Sequence, residues 1–172
     1  MTPYYCRAEK FIAKFFPFIS DCKDIDDYRD AVGYFNMIYH RNVVFHYGAT
    51  RMAFVSSDYV IKMNRTDEEA LDFMDEFGEC ERELRLYIAA KNDKFDYLFA
   101  EVIKFIYKDV AFYIMPRVHS IGRTYNNAYI YMTHEEDEWC NNMGLGDLHF
   151  NNYGWVDGHI RIFDYAANDL YE

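Results

Sequence analysis

Three oxygen-bearing side chains crowd the last part of the chain: Asp147 and Asn152 within GDLHFNN, and Asp164 within IFDYA. Between them lies YGWV-DG-HIRIF, two short β-forming runs joined by Asp157-Gly158, a favoured two-residue hairpin turn. A hairpin returns to the side it started from, so this spacing predicts that Asp147, Asn152 and Asp164 converge. Two carboxylates and an amide oxygen make a hard, oxygen-rich site suited to Mg²⁺. Phosphoryl transfer uses such a site, because metal neutralises charge and a carboxylate accepts the acceptor's proton.

Other elements must position these residues. Residues 25–40 read as an amphipathic helix whose start is enriched in acid at 24–27, which suits a helix dipole. The preceding FIAKFFPFI is apolar, is interrupted by Pro17, and is expected to pack on the domain. VVFHYG, RMAFVSS and DYVIKM are β-branched and aromatic runs separated by turn formers, which predicts a three-stranded antiparallel meander. Residues 65–77 are acidic and read as a linker or short helix, and 78–91 (GECERELRLYIAAK) as a helix. AEVIKFIY and DVAFYIMPRV read as two more strands turning at Lys108-Asp109, and 125–142 as another helix. The expected class is α+β: a five-stranded antiparallel sheet with one helix, then a mainly helical part with a small hairpin.

With that order in place, a family resemblance emerges. GDLHFNN, a hairpin and IFDYA together resemble the catalytic loop and metal motif of the protein-kinase-like superfamily. The style is closest to aminoglycoside phosphotransferases and lipopolysaccharide kinases, whose loop reads GDLHxxN. The resemblance implies Asp147 as catalytic base and Asn152 and Asp164 as metal ligands. Tyr165 and Ala166 stand where Phe and Gly are usual, Leu145 where a histidine is frequent, and His149 matches the loop histidine. HYGATRMAFVSSDYVIKM resembles a glycine-loop hairpin leading to the ATP-binding lysine. That implies Lys62 for the phosphates and Gly48, Ala49 and Thr50 as phosphate loop, with one glycine where protein kinases have three. Among Glu79, Glu81 and Glu83, Glu83 is favoured as partner of Lys62. YIMPRV resembles the strand entering the hinge, with Met115 as gatekeeper and Pro116, Arg117 and Val118 along the adenine edge.

The resemblance covers roughly residues 42–166 and implies a minimal bilobal kinase-like fold. Its expected divisions are an N-terminal helical segment (1–41), an N-lobe with hinge (42–118) and a reduced C-lobe (119–172). Only eight residues follow Asp164, so the expectation is a form without an activation segment, similar to some truncated virus- or phage-encoded kinases. The implied activity is ATP- and Mg²⁺-dependent transfer of the γ-phosphate to a hydroxyl of an unknown acceptor, protein Ser/Thr among the candidates. The alternative is a nucleotide-binding pseudokinase that docks on a host protein.

Blander readings stand beside these. Lys62 could be an edge-strand lysine that blocks aggregation, and Asp147 and Asn152 could simply cap a turn. His149 reads as a histidine that fixes its loop, and Met115 as core. The net charge of −11 argues against nucleic acid as a partner. Hydrophobic residues make up 51% and aromatics 20%, enough for a packed core and incompatible with disorder. The four cysteines form no CxxC pair and the histidines no HExxH, which argues against zinc. Without a secretory leader or a membrane-length apolar run, the expected location is the cytoplasm, that of the host if the chain is viral, with no membrane partner. A homodimer would cover the apolar surface that so small a C-lobe leaves.

Overall fold

A computed structural model describes residues 3–67, 78–119, 127–146, 148–149, 151–156 and 158–164. The chain divides into two compact units, one formed by 1–80 with 103–117, the other by 81–102 with 118–172.

The first unit is a five-stranded sheet with two helices against it. Its strands are β1 (Val44–Tyr47), β2 (Arg51–Val55), β3 (Tyr59–Asn64), β4 (Ile103–Tyr107) and β5 (Val110–Pro116). They run in the order β1-β2-β3-β5-β4, every pair antiparallel. The expected five-stranded antiparallel sheet is therefore present. Lys108 (φ 47°) and Asp109 (φ 66°) both take the left-handed conformation, as a two-residue turn matching the strand twist demands.

Helix α1 (Pro3–Ile19) starts with proline at its first position and buries Tyr5, Ala8, Phe11, Ile12, Phe15 and Ile19. That spacing is one helical face, and it lies against β3, β4 and β5. The helix continues through Pro17 to Ile19. Pro17 forfeits one i→i−4 hydrogen bond near the end of the helix, and the buried stripe outweighs that loss. Helix α2 (Ile25–Tyr39) is capped by Asp24, whose carboxylate accepts from Asp27 N–H at 2.9 Å. It ends at His40 (φ 48°), and the Asn36 amide clips it to the chain leading into β1 by exchanging two bonds with the Val43 backbone, at 2.8 and 3.0 Å. Phe15 packs edge-on against Phe35 and Phe54, both centroids 5.1 Å away, at the centre of this core.

Helix α3 (Glu79–Asn92) begins at a junction built from the far end of β3. Asn64 Oδ1 accepts from Cys80 N–H at 3.1 Å, satisfying one of the donors a helix start leaves open. Gly78 precedes it at φ +71°, and a Cβ there would lie 2.3 Å from Asn64 Nδ2. Gly78→Ala should therefore cost about 2–3 kcal/mol through left-handed strain and overpacking. Denaturant melts would show a lower midpoint, and Asn64→Ser should recover part of the loss by making room.

The second unit holds most of α3, the helix α4 (His134–Asn142) and the hairpin β6 (Tyr153–Val156)–β7 (His159–Ile162). The helix expected over 125–142 is broken. Residues 128–131 form a single 3-10 turn, and α4 starts afresh with Thr133 as N-cap. The break is a capping box. Glu136 N–H donates to Thr133 Oγ1 at 3.3 Å, and Glu136 Oε2 accepts from Thr133 N–H at 2.5 Å. Tyr97 O–H donates to the other carboxylate oxygen at 2.7 Å.

Burial would raise the Glu136 pKa, but the hydrogen bonds from Tyr97 and Thr133 outweigh it and hold the group below its usual 4.5. A carboxyl with a lower pKa folded than unfolded stabilises the fold above the unfolded value. That contribution fades as pH falls through the folded one. Glu136→Gln should accordingly be less stable than the parent at pH 7 and show a shallower loss of stability below pH ~4.5. Thermal melts across that range measure it. Among the described residues no helix is long and apolar enough to cross a membrane.

Candidate functional site

In the first unit, β3 is the central strand of the sheet, so an edge-strand role for Lys62 is ruled out. Lys62 pairs with Ala53 on β2 and Tyr113 on β5. Tyr59, Ile61 and Met63 alternate with it and join the aromatic core, so Lys62 projects from the opposite face. It is nonetheless only 7% exposed. A lysine withdrawn from water is tolerated when its charge is compensated.

Gly48, Ala49 and Thr50 form the β1–β2 turn. Gly48 N–H donates to Arg51 O at 2.9 Å, and Arg65 Nη1 donates to the carbonyls of Gly48 and Ala49 at 3.0 and 3.1 Å. Arg65 N–H donates to Thr50 O, its guanidinium grips Asp67, and Thr50 is buried. The turn is therefore clamped from beneath, and the Gly48 amide is committed within it. Gly48 has an ordinary φ and open space where a Cβ would stand, so its backbone does not require glycine. Arg65, which holds the turn, was not among the residues singled out from the sequence. Its signal there is only an arginine two residues before an aspartate.

Met115 is core at 1% exposure, and Pro116 ends β5 opposite Tyr59. Arg117 is exposed, donates its N–H to Asp58 O at 3.1 Å and its Nη1 to Ser56 O at 2.8 Å. It is thereby tied to the β2–β3 turn. Val118 is half-buried and belongs to the second unit. Among the three glutamates considered at the start of α3, Glu79 pairs with Arg51 at 3.1 Å, whereas Glu83 is wholly buried.

In the second unit, the hairpin sets the spacing of Asn152 and Asp164. Tyr153 pairs with Ile162, and Phe163 N–H donates to Asn152 O at 2.8 Å. Asn152 thus faces Phe163 across the ladder, with Asp164 next in the chain. Asn152 is 8% exposed and Asp164 half-buried. The hairpin is held from behind. Ala100 N–H donates to Ile162 O at 2.7 Å, and Arg161 Nη1 to Phe99 O at 3.1 Å. Gly154 lies so close to His119 O that an added Cβ would sit at 2.1 Å.

The loop before the hairpin is fixed by its own backbone and by residues 128–129. Ala128 N–H donates to Leu148 O at 2.9 Å, Tyr129 O–H to Leu145 O, and Asn152 N–H to His149 O at 2.9 Å. His149 Nδ1 accepts from Asn151 N–H at 3.1 Å, the loop-fixing role its position suggested. Asp147, Tyr165 and Ala166 lie outside the described residues. Asn152 and Asp164 supply an amide oxygen and a carboxylate, hard donors whose chemistry fits Mg²⁺. Among the described residues no three His, Cys, Asp or Glu side chains gather as a metal-binding group. Cys140 is a poor nucleophile. Burial, with Asp137 and Glu136 nearby, pushes the Cys140 thiol up to about 12.

No family model and no curated protein matches the chain. A solved structure of the Legionella pneumophila kinase Lpg2603 bound to IP6 is similar at 11% identity and a TM-score of 0.45. The similarity covers 78% of this chain and 51% of that one, so this chain spans about half its length.

Proposed function

We propose that the protein is a kinase-like phosphotransferase that moves the γ-phosphate of ATP to a hydroxyl of its acceptor. Asn152 and Asp164 hold Mg²⁺, which supplies neutralising charge for the phosphates. Asp147 accepts the acceptor's proton. Lys62 steadies the phosphates, with Glu83 as its acidic counterpart, and the segment Met115, Pro116, Arg117, Val118 flanks the adenine. Residues 42–118 handle nucleotide in this reading, and 119–172 handle metal and acceptor. Catalysis is then mainly positioning and charge neutralisation.

The observation that carries the reading is the β6–β7 ladder, which brings the backbone of Asn152 against that of Phe163, beside Asp164, directly after the GDLHFNN loop. The burial of Lys62 and Glu83, two charged side chains kept from water, supports it from elsewhere in the sequence. Thermal melts with ATP and Mg²⁺ test it. Ligand at a hundred times its dissociation constant adds about 2.7 kcal/mol to the stability of the native state. The expected result is a rise of several degrees that disappears in Lys62→Ala, together with release or transfer of labelled γ-phosphate. No rise and no turnover would sink the proposal.

One observation favours a second reading, a nucleotide-binding pseudokinase acting by docking on a host protein. The Gly48 amide is committed to Arg51 and Thr50 is buried, so the β1–β2 turn has less to offer a phosphate. A melting rise with ATP but no turnover selects this alternative.

A further inference from the structure

The first unit contains a cavity of about 460 Å³, and none of the residues assigned above to nucleotide or metal lines it. Four of its lining side chains are cationic: Arg7, Lys10, Lys14 and Arg41. One is acidic. Asp58 accepts from Arg7 Nε at 2.6 Å, which offsets that arginine. Lys10, Lys14 and Arg41 remain, gathered in a protein whose net charge is −11. Lys10 and Arg41 are exposed and hold no ion pair among the described residues.

Helix geometry explains the cluster. Positions 7, 10 and 14 share one face of α1, while Phe11 between them turns into the core. Arg41 reaches the same cavity from α2, which the left-handed His40 terminates. The inner wall is aromatic, formed by Phe11, Phe35 and Tyr59, and Lys14 Nζ stands 5.8 Å from the Tyr39 ring. The β2–β3 turn adds the hydroxyls of Ser56 and Ser57 and is fixed by Arg117 through Ser56 O and Asp58 O. Neighbouring like charges repel one another, a cost that a bound anion removes. The volume is that of a small-molecule site. Three cations spread around it match several anionic groups better than one, and a guanidinium fork suits phosphate oxygens.

We propose that this cavity binds a small soluble ligand carrying two or more phosphate groups, held by Lys10, Lys14 and Arg41 with its body against the aromatic wall. The site is separate from the phosphotransfer reading and stands or falls independently of it.

Tripolyphosphate is the probe, titrated calorimetrically into the full chain without Mg²⁺ or nucleotide, with orthophosphate as reference. The parent and Lys62→Ala should bind it equally, orthophosphate at least tenfold more weakly, and added salt should weaken both. Lys10→Ala with Arg41→Ala should reduce the tripolyphosphate affinity at least tenfold. Lys23→Ala with Lys91→Ala, which removes the same charge elsewhere, should leave it unchanged. Circular dichroism confirms folding. If the first pair fails to fold, Lys14→Gln takes its place with the same expectation. Absence of binding to the parent, equal loss in both paired variants, or loss in Lys62→Ala alone would each overturn the proposal.

Discussion

Asp164→Ala should lower phosphoryl transfer by about 10³-fold while leaving the fold intact. In the proposed site Asp164 supplies the anionic ligand for Mg²⁺ and Asn152 a neutral one. Removing the carboxylate leaves an amide oxygen that holds the ion weakly, and the charge developing on the transferred phosphoryl group loses its neutralising partner. The bond that closes the hairpin, Phe163 N–H to Asn152 O, is a backbone one and remains in the variant, and thermal melts check the fold. Asp164→Asn should be nearly as inactive, because it keeps the shape and removes the charge. Raising Mg²⁺ should recover part of the activity of either variant if the defect lies in metal affinity. Single-turnover assays with labelled ATP, run beside thermal melts, separate these effects. Activity of either variant within threefold of the parent would remove Asp164 from the mechanism.

The largest stability effect is expected at Phe15. Its side chain is 2% exposed and touches three aromatic neighbours, with the Phe11 ring at 5.0 Å in addition to Phe35 and Phe54. Those rings come from α1, α2 and β2, so the gap left by alanine is walled by separate elements that cannot all collapse into it. Phe15→Ala should cost about 3–5 kcal/mol. For a chain of this size that lowers the melting temperature by roughly 10 °C. Met37, 64% exposed on α2, provides the contrast: Met37→Ala should stay within about 0.5 kcal/mol of the parent. Urea melts would measure both. A Phe15→Ala loss below about 1 kcal/mol would mean that α1 is not integral to the core.

Features governed by local chemistry were legible in the residues. The β-branched and aromatic runs marked the five strands, Lys108-Asp109 marked a tight turn, and the acidic start at 24–27 marked α2. Each depends on backbone preferences within a few residues. The break before α4 was also legible, since Thr133 and Glu136 spell a capping box, but the helical composition on both sides concealed it. The continuation of α1 through Pro17 was not legible, because it depends on the aromatic face that the sheet buries.

The order of motifs, with its lysine, asparagine and two aspartates, was present in the sequence alone, and so was the hairpin that separates Asn152 from Asp164. Tertiary structure decided what those residues rest on. It made β3 central, so that Lys62 could not be an edge residue. It brought Asn64 to the start of α3 and Arg65 beneath the β1–β2 turn. It also assembled Arg7, Lys10, Lys14 and Arg41 around one cavity. The physical reason is range. Turns and caps are set by neighbours along the chain, whereas burial of a charge or convergence of cations depends on segments that meet only when the core closes.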